Sequence, residues 1–247
     1  MKGFYSQLWR WGLGSATGIL LTGGLLGGNV AIAQRTVQLN LPNLSAPGNR
    51  ESGSTRSTTC IDPSDRLVAL IPETNYGLTQ SGHPTFYFYL PPTTAEHLKF
   101  VLLNSATNEL VYEGRFRLAG TGGIASVSLP DNGVQQALAV NEDYVWYLAI
   151  VCDETDPSAD IVTEAYVRRV EALDLTVETP PADLPALYAE AGLWYDALAA
   201  AADRRTTDSP AAWNALLDAV ALNDFIAIEL LTEDAAPVEQ SAVLDHQ

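Results

Sequence analysis

Asp143-Tyr144-Val145-Trp146-Tyr147-Leu148-Ala149-Ile150-Val151-Cys152 is the stretch on which the fold turns. In an extended chain successive side chains point to opposite faces, so Tyr144, Trp146, Leu148, Ile150 and Cys152 share one face while Val145, Tyr147, Ala149 and Val151 share the other. Both faces are largely apolar, which places this strand in the middle of a sheet. Asn141-Glu142-Asp143 reads as the turn that leads into it. A tyrosine just after that turn, in the next-to-last strand, matches the tyrosine corner of immunoglobulin-like folds, and an inward tryptophan fits a core between two sheets. The spacing departs from true immunoglobulin domains, because the cysteine lies eight residues past the tyrosine and the tryptophan sits on the same strand.

Outward from this strand, segments of similar length are separated by turn residues: 66–71, 84–90, 97–104, 109–117 and 123–129 before it, and 161–170 after it. Strands at about ten-residue spacing with no helical period between them predict a mainly β fold, an immunoglobulin-like antiparallel β-sandwich over residues 60–179. After Thr179-Pro180-Pro181 the period becomes helical. Asp183 is placed to cap a helix whose face carries Leu184, Leu187, Tyr188 and Ala191, and Gly192 can end it in the left-handed conformation. A second helix runs from Trp194 to about Arg205, and Asp208-Ser209-Pro210 starts a third with Trp213, Leu216, Leu217 and Val220. Tyr188, Gly192, Trp194 and Ala197 match one tetratricopeptide-like hairpin, and a lone hairpin must bury its face elsewhere. The α-helical hairpin and third helix of 180–231 are therefore expected to pack on the sandwich or on a partner.

Cys60 and Cys152 are the only cysteines. Lys2 and Arg10 precede an uncharged Leu/Gly-rich run, and Ala31-Ile32-Ala33 has the small-x-small pattern of a cleavage site, so 1–33 reads as a Sec-type signal peptide. The rival reading is an uncleaved anchor, since the run is about long enough to span a bilayer. Its glycines and the cleavage site favour removal, with no stable membrane insertion afterwards. The expected location is periplasmic or secreted, and an even, sparse cysteine count there points to one disulfide between Cys60 and Cys152, against the alternative of two buried thiols. Residues 34–59 are rich in small polar residues, Pro and Gly and read as a disordered linker, and 232–247 as a disordered acidic tail.

Loss of Lys2 and Arg10 leaves 11 basic residues against 30 acidic ones, a net charge of −19. A phosphate backbone or an anionic lipid surface is repelled by such a chain. The remaining chemistry is sparse. The histidines are His83, His97 and His246, no G-x-S-x-G elbow is present, and no His/Cys cluster has zinc spacing. No catalytic residue and no cofactor is expected. The loop Asp153-Glu154-Thr155-Asp156-Pro157-Ser158-Ala159-Asp160 is the one dense set of oxygen ligands, so Asp153, Asp156 and Asp160 are candidate calcium ligands. Asp and Pro are equally what a plain turn requires. Phe86, Phe88 and Leu90 should face the core, which sets Tyr87 and Tyr89 side by side on the opposite face. Those rings either stack on a sugar or a peptide, or form the floor on which the C-terminal helices pack.

Gly77-Leu78-Thr79, His83 to Pro91 (HPTFYFYLP), Asp143-Tyr144-Val145-Trp146-Tyr147, Cys152-Asp153, Asp156-Pro157-Ser158-Ala159-Asp160 and Tyr188 to Leu198 (YAEAGLWYDAL) occur in that order. Together they resemble an exported cyanobacterial family known as domain of unknown function 928, over residues 58 to 222. The resemblance implies export, and a strand region and helical hairpin that form one unit. It carries over no catalytic or binding residue. The functional expectation is a non-catalytic exported protein-interaction module that binds an extracytoplasmic protein, with a calcium- or glycan-binding β-sandwich as the alternative.

Overall fold

Nine strands carry the chain: β1 (Val68–Ala69), β2 (Tyr76–Thr79), β3 (Thr85–Leu90), β4 (His97–Asn104), β5 (Leu110–Arg117), β6 (Gly123–Ser128), β7 (Asp143–Val151), β8 (Ile161–Arg169) and β9 (Val238–Gln240). Three short helices follow β8: α1 (Leu184–Glu190), α2 (Trp194–Arg205) and α3 (Ala211–Ala219). The computed structural model describes residues 35–52, 60–174, 179–205, 209–231 and 238–240. The signal peptide expected at 1–33 lies outside the described residues, as does most of the tail.

The strands form a three-stranded sheet, β1-β3-β6, and a six-stranded sheet, β2-β8-β7-β4-β5-β9. β7 is central in the larger sheet, paired antiparallel with β4 on one side and β8 on the other. Burial follows the sequence alternation: Leu98, Phe100 and Leu102 of β4 and Tyr144, Trp146, Leu148 and Ile150 of β7 are all buried. Phe86 and Phe88 of β3 answer them from the smaller sheet, each 0 % exposed. The two sheets meet at an aromatic cluster, where Phe86 lies 5.1 Å from Phe100 and 5.4 Å from Trp146, centroid to centroid. Burying a side chain of this size contributes about 2–3 kcal/mol.

Three expectations need correction. The sheets are not wholly antiparallel, because β2 runs parallel to β8 with Tyr76–Thr79 against Tyr166–Arg169. β2 arrives from β1 in the other sheet, so no hairpin sets its direction. The linker reading of 34–59 fails over residues 35–52, which lie along the body. There Asn40 N–H donates to Ala189 O at 3.0 Å, Ala46 N–H to Thr74 O at 3.0 Å and Ser52 N–H to Leu67 O at 2.9 Å. Few large apolar groups are buried, and order comes from backbone hydrogen bonds to exposed strand edges. In the tail, Val238–Gln240 pairs with β5 as a strand.

The helices seal one flank of the sheets. Trp194 Nε1 donates to Leu70 O at 2.9 Å, and Trp146 Nε1 donates to the Tyr195 hydroxyl at 2.9 Å, which itself donates to Tyr166 O at 3.0 Å. One residue of α2 thus bridges both sheets. Gly77 permits the approach, since a Cβ there would come within 2.7 Å of the Tyr195 ring. Gly192 links α1 to α2 at φ 78°, and a side chain there would meet Asn40 O at 2.6 Å, so the turn needs glycine on both counts. Asp183 makes no side-chain cap and falls in a 3-10 turn, Pro181–Asp183, ahead of α1. Ser209 accepts from Ala211 N–H at 3.2 Å ahead of α3.

Candidate functional site

The two tyrosines of β3 lie where alternation puts them, opposite Phe86 and Phe88, and the C-terminal segment covers that face. The Tyr87 ring meets Trp213 of α3 edge-on at 5.9 Å, and the Tyr89 ring tilts against Phe225 at 5.1 Å. Trp213, Leu216 and Leu217 are each 0 % exposed. Burial pushes the Tyr87 hydroxyl well above its ordinary range, with the Asp203 carboxylate adding to it. As a ligand platform Tyr87 is corrected to a floor for α3. Tyr89 keeps one edge on a groove of about 410 Å³, shared with Asp65, Arg66, Val68, Asp224 and Ile228.

In the 153–160 loop the carboxylates turn back on their own backbone. Asp153 Oδ1 accepts from Thr155 N–H at 2.8 Å and Thr155 Oγ1 at 2.7 Å, and Asp156 Oδ1 from Ser158 N–H at 3.0 Å and Ser158 Oγ at 2.6 Å. These bonds hold the Asp153 carboxyl below its ordinary range. Asp160 turns the other way and accepts from Cys152 N–H at 3.3 Å, and burial pushes its carboxyl up. The three do not converge, and among the described residues no three His, Cys, Asp or Glu side chains are grouped to hold a metal ion. The calcium reading gives way to a pair of Asx turns, which draw on the same residue types. Cys60 and Cys152 are bonded, with Cα atoms 5.5 Å apart, and the bridge ties the start of the strand region to the end of β7.

The outer face of the larger sheet is the surface on which these elements leave side chains free. No helix packs there. Val101 and Leu103 of β4, Tyr147 and Ala149 of β7, and Val162 and Tyr166 of β8 form a half-buried apolar strip, and Val162 is 45 % exposed. In register, Val101 stands beside Tyr147, Ala149 beside Val162 and Tyr147 beside Glu164. Charged pairs frame the strip. Arg168 holds Asp143 bidentately, with Nε to Oδ1 at 2.8 Å and Nη2 to Oδ2 at 2.5 Å, while the Tyr76 hydroxyl donates to the same carboxylate. Burial pushes the Asp143 carboxyl up, but the bonds from Arg168 and Tyr76 outweigh it and hold the group below its ordinary range. A carboxylate so occupied is a poor general base. At the opposite corner His97 Nδ1 lies 2.7 Å from Glu154 Oε1, Arg115 donates to that oxygen, and Lys99 Nζ lies 3.0 Å from Glu113. Arg115 and then His97 hold the Glu154 carboxyl below its ordinary range.

Sequence reasoning passed over Asp143, Arg168, His97, Arg115 and Arg50. Arg50 is 8 % exposed and donates to Ile71 O at 3.0 Å and Val220 O at 2.8 Å. The available signal was the period-two placement of His97 and Lys99, and of Arg115 and Arg117, on consecutive strands. Pairing those strands brings the four cations together.

No helix among the described residues is long and apolar enough to cross a membrane. The family model described as Domain of Unknown Function (DUF928) matches residues 51–230. No curated protein matches the chain.

Proposed function

This chain belongs to the Domain of Unknown Function (DUF928) family, and from that premise we propose that it is an exported, non-catalytic protein-interaction module. Its body is an immunoglobulin-like sandwich carrying the C-terminal helices, and it works outside the cytoplasm after a signal peptide at 1–33 is removed. One observation carries the reading: the apolar strip of Val101, Leu103, Tyr147, Val162 and Tyr166 faces outward on the central strands, with no helix over it. A contiguous apolar patch rimmed by charges is what a protein-binding surface looks like. The rim pairs Lys99–Glu113, Arg115–Glu154 and Arg168–Asp143 cancel charge locally in a chain of net charge −17, so this face repels an approaching protein least. Two features agree with the sandwich and with export. The Tyr144 hydroxyl accepts from Ala139 N–H at 2.9 Å, five residues upstream, as in a tyrosine corner, and the Cys60–Cys152 bond suits an oxidising compartment. Nothing favours the calcium or glycan alternative, since the loop carboxylates are turned inward and Tyr87 lies under α3.

The test is capture from an extracytoplasmic extract of the source cells, with cross-linking to locate the contact. The natural chain should retain a partner cross-linked within the strip, and Tyr147→Glu with Val162→Glu, shown folded by near-ultraviolet circular dichroism, should lose it. Equal capture by both chains, or no cross-link within the strip, overturns the proposal.

A further inference from the structure

A sheet edge is a row of unpaired N–H and C=O groups that invites another strand, and native proteins cover it. This fold covers its two sides unequally. On one side residues 46–52 run along β1 and beside β2 and β8. Ala69 N–H donates to Arg50 O at 2.7 Å, Asn75 Nδ2 to Pro47 O at 2.7 Å and Thr163 Oγ1 to Asn49 O at 3.1 Å. The Arg50 guanidinium pins that segment to Ile71 O and to Val220 O at the end of α3. On the other side lie the edges of β6 and β5. β6 is met at Ile124, whose N–H donates to Glu229 O at 2.9 Å and whose carbonyl accepts from Leu231 N–H at 2.8 Å. β5 is eight residues long, and β9 pairs only with Arg115, Phe116 and Arg117. Farther along, Gln135 Nε2 donates to Val111 O at 3.2 Å and Leu110 is 55 % exposed. Among the described residues no strand lies opposite Tyr112–Gly114 on this side.

We propose that the free edge of β5 is a strand-acceptor site, which takes an extended acidic segment of a partner protein antiparallel to β5 in the place that β9 holds. The inference rests on the interaction reading above, and it concerns the edge of the sheet where that reading concerns its face. Two observations specify the occupant. The chain itself seats an extended antiparallel segment there, so the backbone geometry accepts one. The edge also carries Arg115 and Arg117, with Lys99 paired to Arg115 and His97 to Arg117 on β4, in a chain with 30 acidic and 13 basic residues. An acidic segment that most of the surface repels is accepted at this corner. Main-chain hydrogen bonds supply affinity in strand addition, and the alternating side chains supply choice. β9 is tethered, so it competes at an effective concentration of about millimolar, and a partner succeeds by pairing with more of β5 than three residues.

The experiment uses the full chain and a labelled synthetic peptide of residues 232–245, TEDAAPVEQSAVLD. In a strand successive N–H groups point to opposite sides, so replacing two neighbours, Val238→Pro with Glu239→Pro, removes at least one ladder donor of β9. The proline pair should bind the peptide about tenfold more tightly than the natural chain, by relief of the tethered competitor. Adding Arg117→Glu should weaken binding about tenfold, in the manner of a misplaced rim charge. Amide exchange in the natural chain should slow at Tyr112–Arg117 when peptide is added. Equal affinities for the natural and proline chains, indifference to Arg117→Glu, or slowed exchange elsewhere overturns the proposal. A dimer of the natural chain that the proline pair abolishes also overturns it, in favour of a second copy's β9. The probe is the chain's own segment, so these outcomes do not depend on whether the strip captures a partner.

Discussion

The outer face of β3 and the outer face of β7 begin from the same kind of sequence and end differently. Each alternates core residues with outward aromatics, Tyr87 and Tyr89 on β3 and Tyr147 on β7. On β3 the outward rings sit under Trp213 and Phe225, and the helices that supply those side chains are themselves buried against the sheet. On β7 the outward ring has strand neighbours, a charged frame and solvent. The same alternation therefore serves cohesion on one side and leaves a surface on the other. What separates them is where the C-terminal helices go, and those are steered by α2, whose Tyr195 hydroxyl bonds Trp146 and Tyr166 in the core.

The widest separation between the faces should come from truncating their aromatics. Trp213 is fully buried, with Tyr87 at its edge and the Arg205 guanidinium 5.0 Å from its ring. Trp213→Ala should cost about 3–5 kcal/mol, read as a lower denaturant midpoint at unchanged slope. Trp213→Phe should cost less, since the indole N–H has no hydrogen-bond partner to lose. A loss under about 1 kcal/mol for Trp213→Ala would mean that the helices do not hold the β3 face, and the contrast would fail.

Next in size is the bridge. Cys60 and Cys152 are 92 residues apart, and reduction, or Cys60→Ser with Cys152→Ser, should cost about 2–4 kcal/mol. Because the bond ends at β7 and not under the helices, near-ultraviolet signals of Trp194 and Trp213 should persist in the reduced chain while it remains folded. Collapse of those signals in step with reduction would show that the bridge sustains the covered face as well.

A smaller effect carries opposite signs on the two sides. Asp143, at the margin of the open face, is held below its ordinary range, since the bonds from Arg168 and Tyr76 outweigh the effect of burial. Its contribution is present above the unfolded value of about 3.9 and is lost as pH falls through the lower folded value. Asp196, on α2, is pushed up by burial, against hydrogen bonds from Thr79 and from Gln80 N–H, the latter at 3.1 Å. Its contribution is present below the unfolded value and is lost as pH rises through the higher folded value. Denaturant midpoints measured across the acid range should show Asp143→Asn flattening the rise of stability with pH, by less than about 1 kcal/mol for so accessible a pair. Asp196→Asn should flatten the fall. Shifts of the same sign from both would contradict the assignment.

How much of this was legible in the sequence varies by element. The strand at 97–104 matches β4 residue for residue, and 143–152 overshoots β7 by one, because strict alternation over eight or more residues has no competing reading. β2 escaped notice: four residues, opening after Asn75 at φ 55° and containing Gly77, carry no period to detect. The ordering of residues 35–52 was hidden for a different reason. Composition reports how much apolar surface a segment can bury, whereas this segment is held by carbonyls and amides on strand edges and by the one buried guanidinium of Arg50. At the candidate sites the residue types were ambiguous by chemistry. Asp153 and Asp156 suit a cation or an Asx turn equally, and only their hydrogen bonds to Thr155 and Ser158 decide. Tyr87 was legible as half of a pair of readings, and the edge contact with Trp213 selects one.

The smallest expected effect is the one that most sharpens the contrast between the faces. Tyr147→Ser with Val162→Thr removes apolar area from the strip while keeping β-compatible polar groups, and Val162 is already 45 % exposed. Surface changes of this kind cost within about 0.5 kcal/mol, so the denaturant midpoint should barely move. Trp213→Ala in parallel provides the scale. A cost near 2 kcal/mol for the strip double substitution would mean that Tyr147 and Val162 are packed in solution as firmly as a core pair, by another copy or another segment. Repeating the measurement at tenfold lower protein concentration separates those two causes, because only the first weakens on dilution.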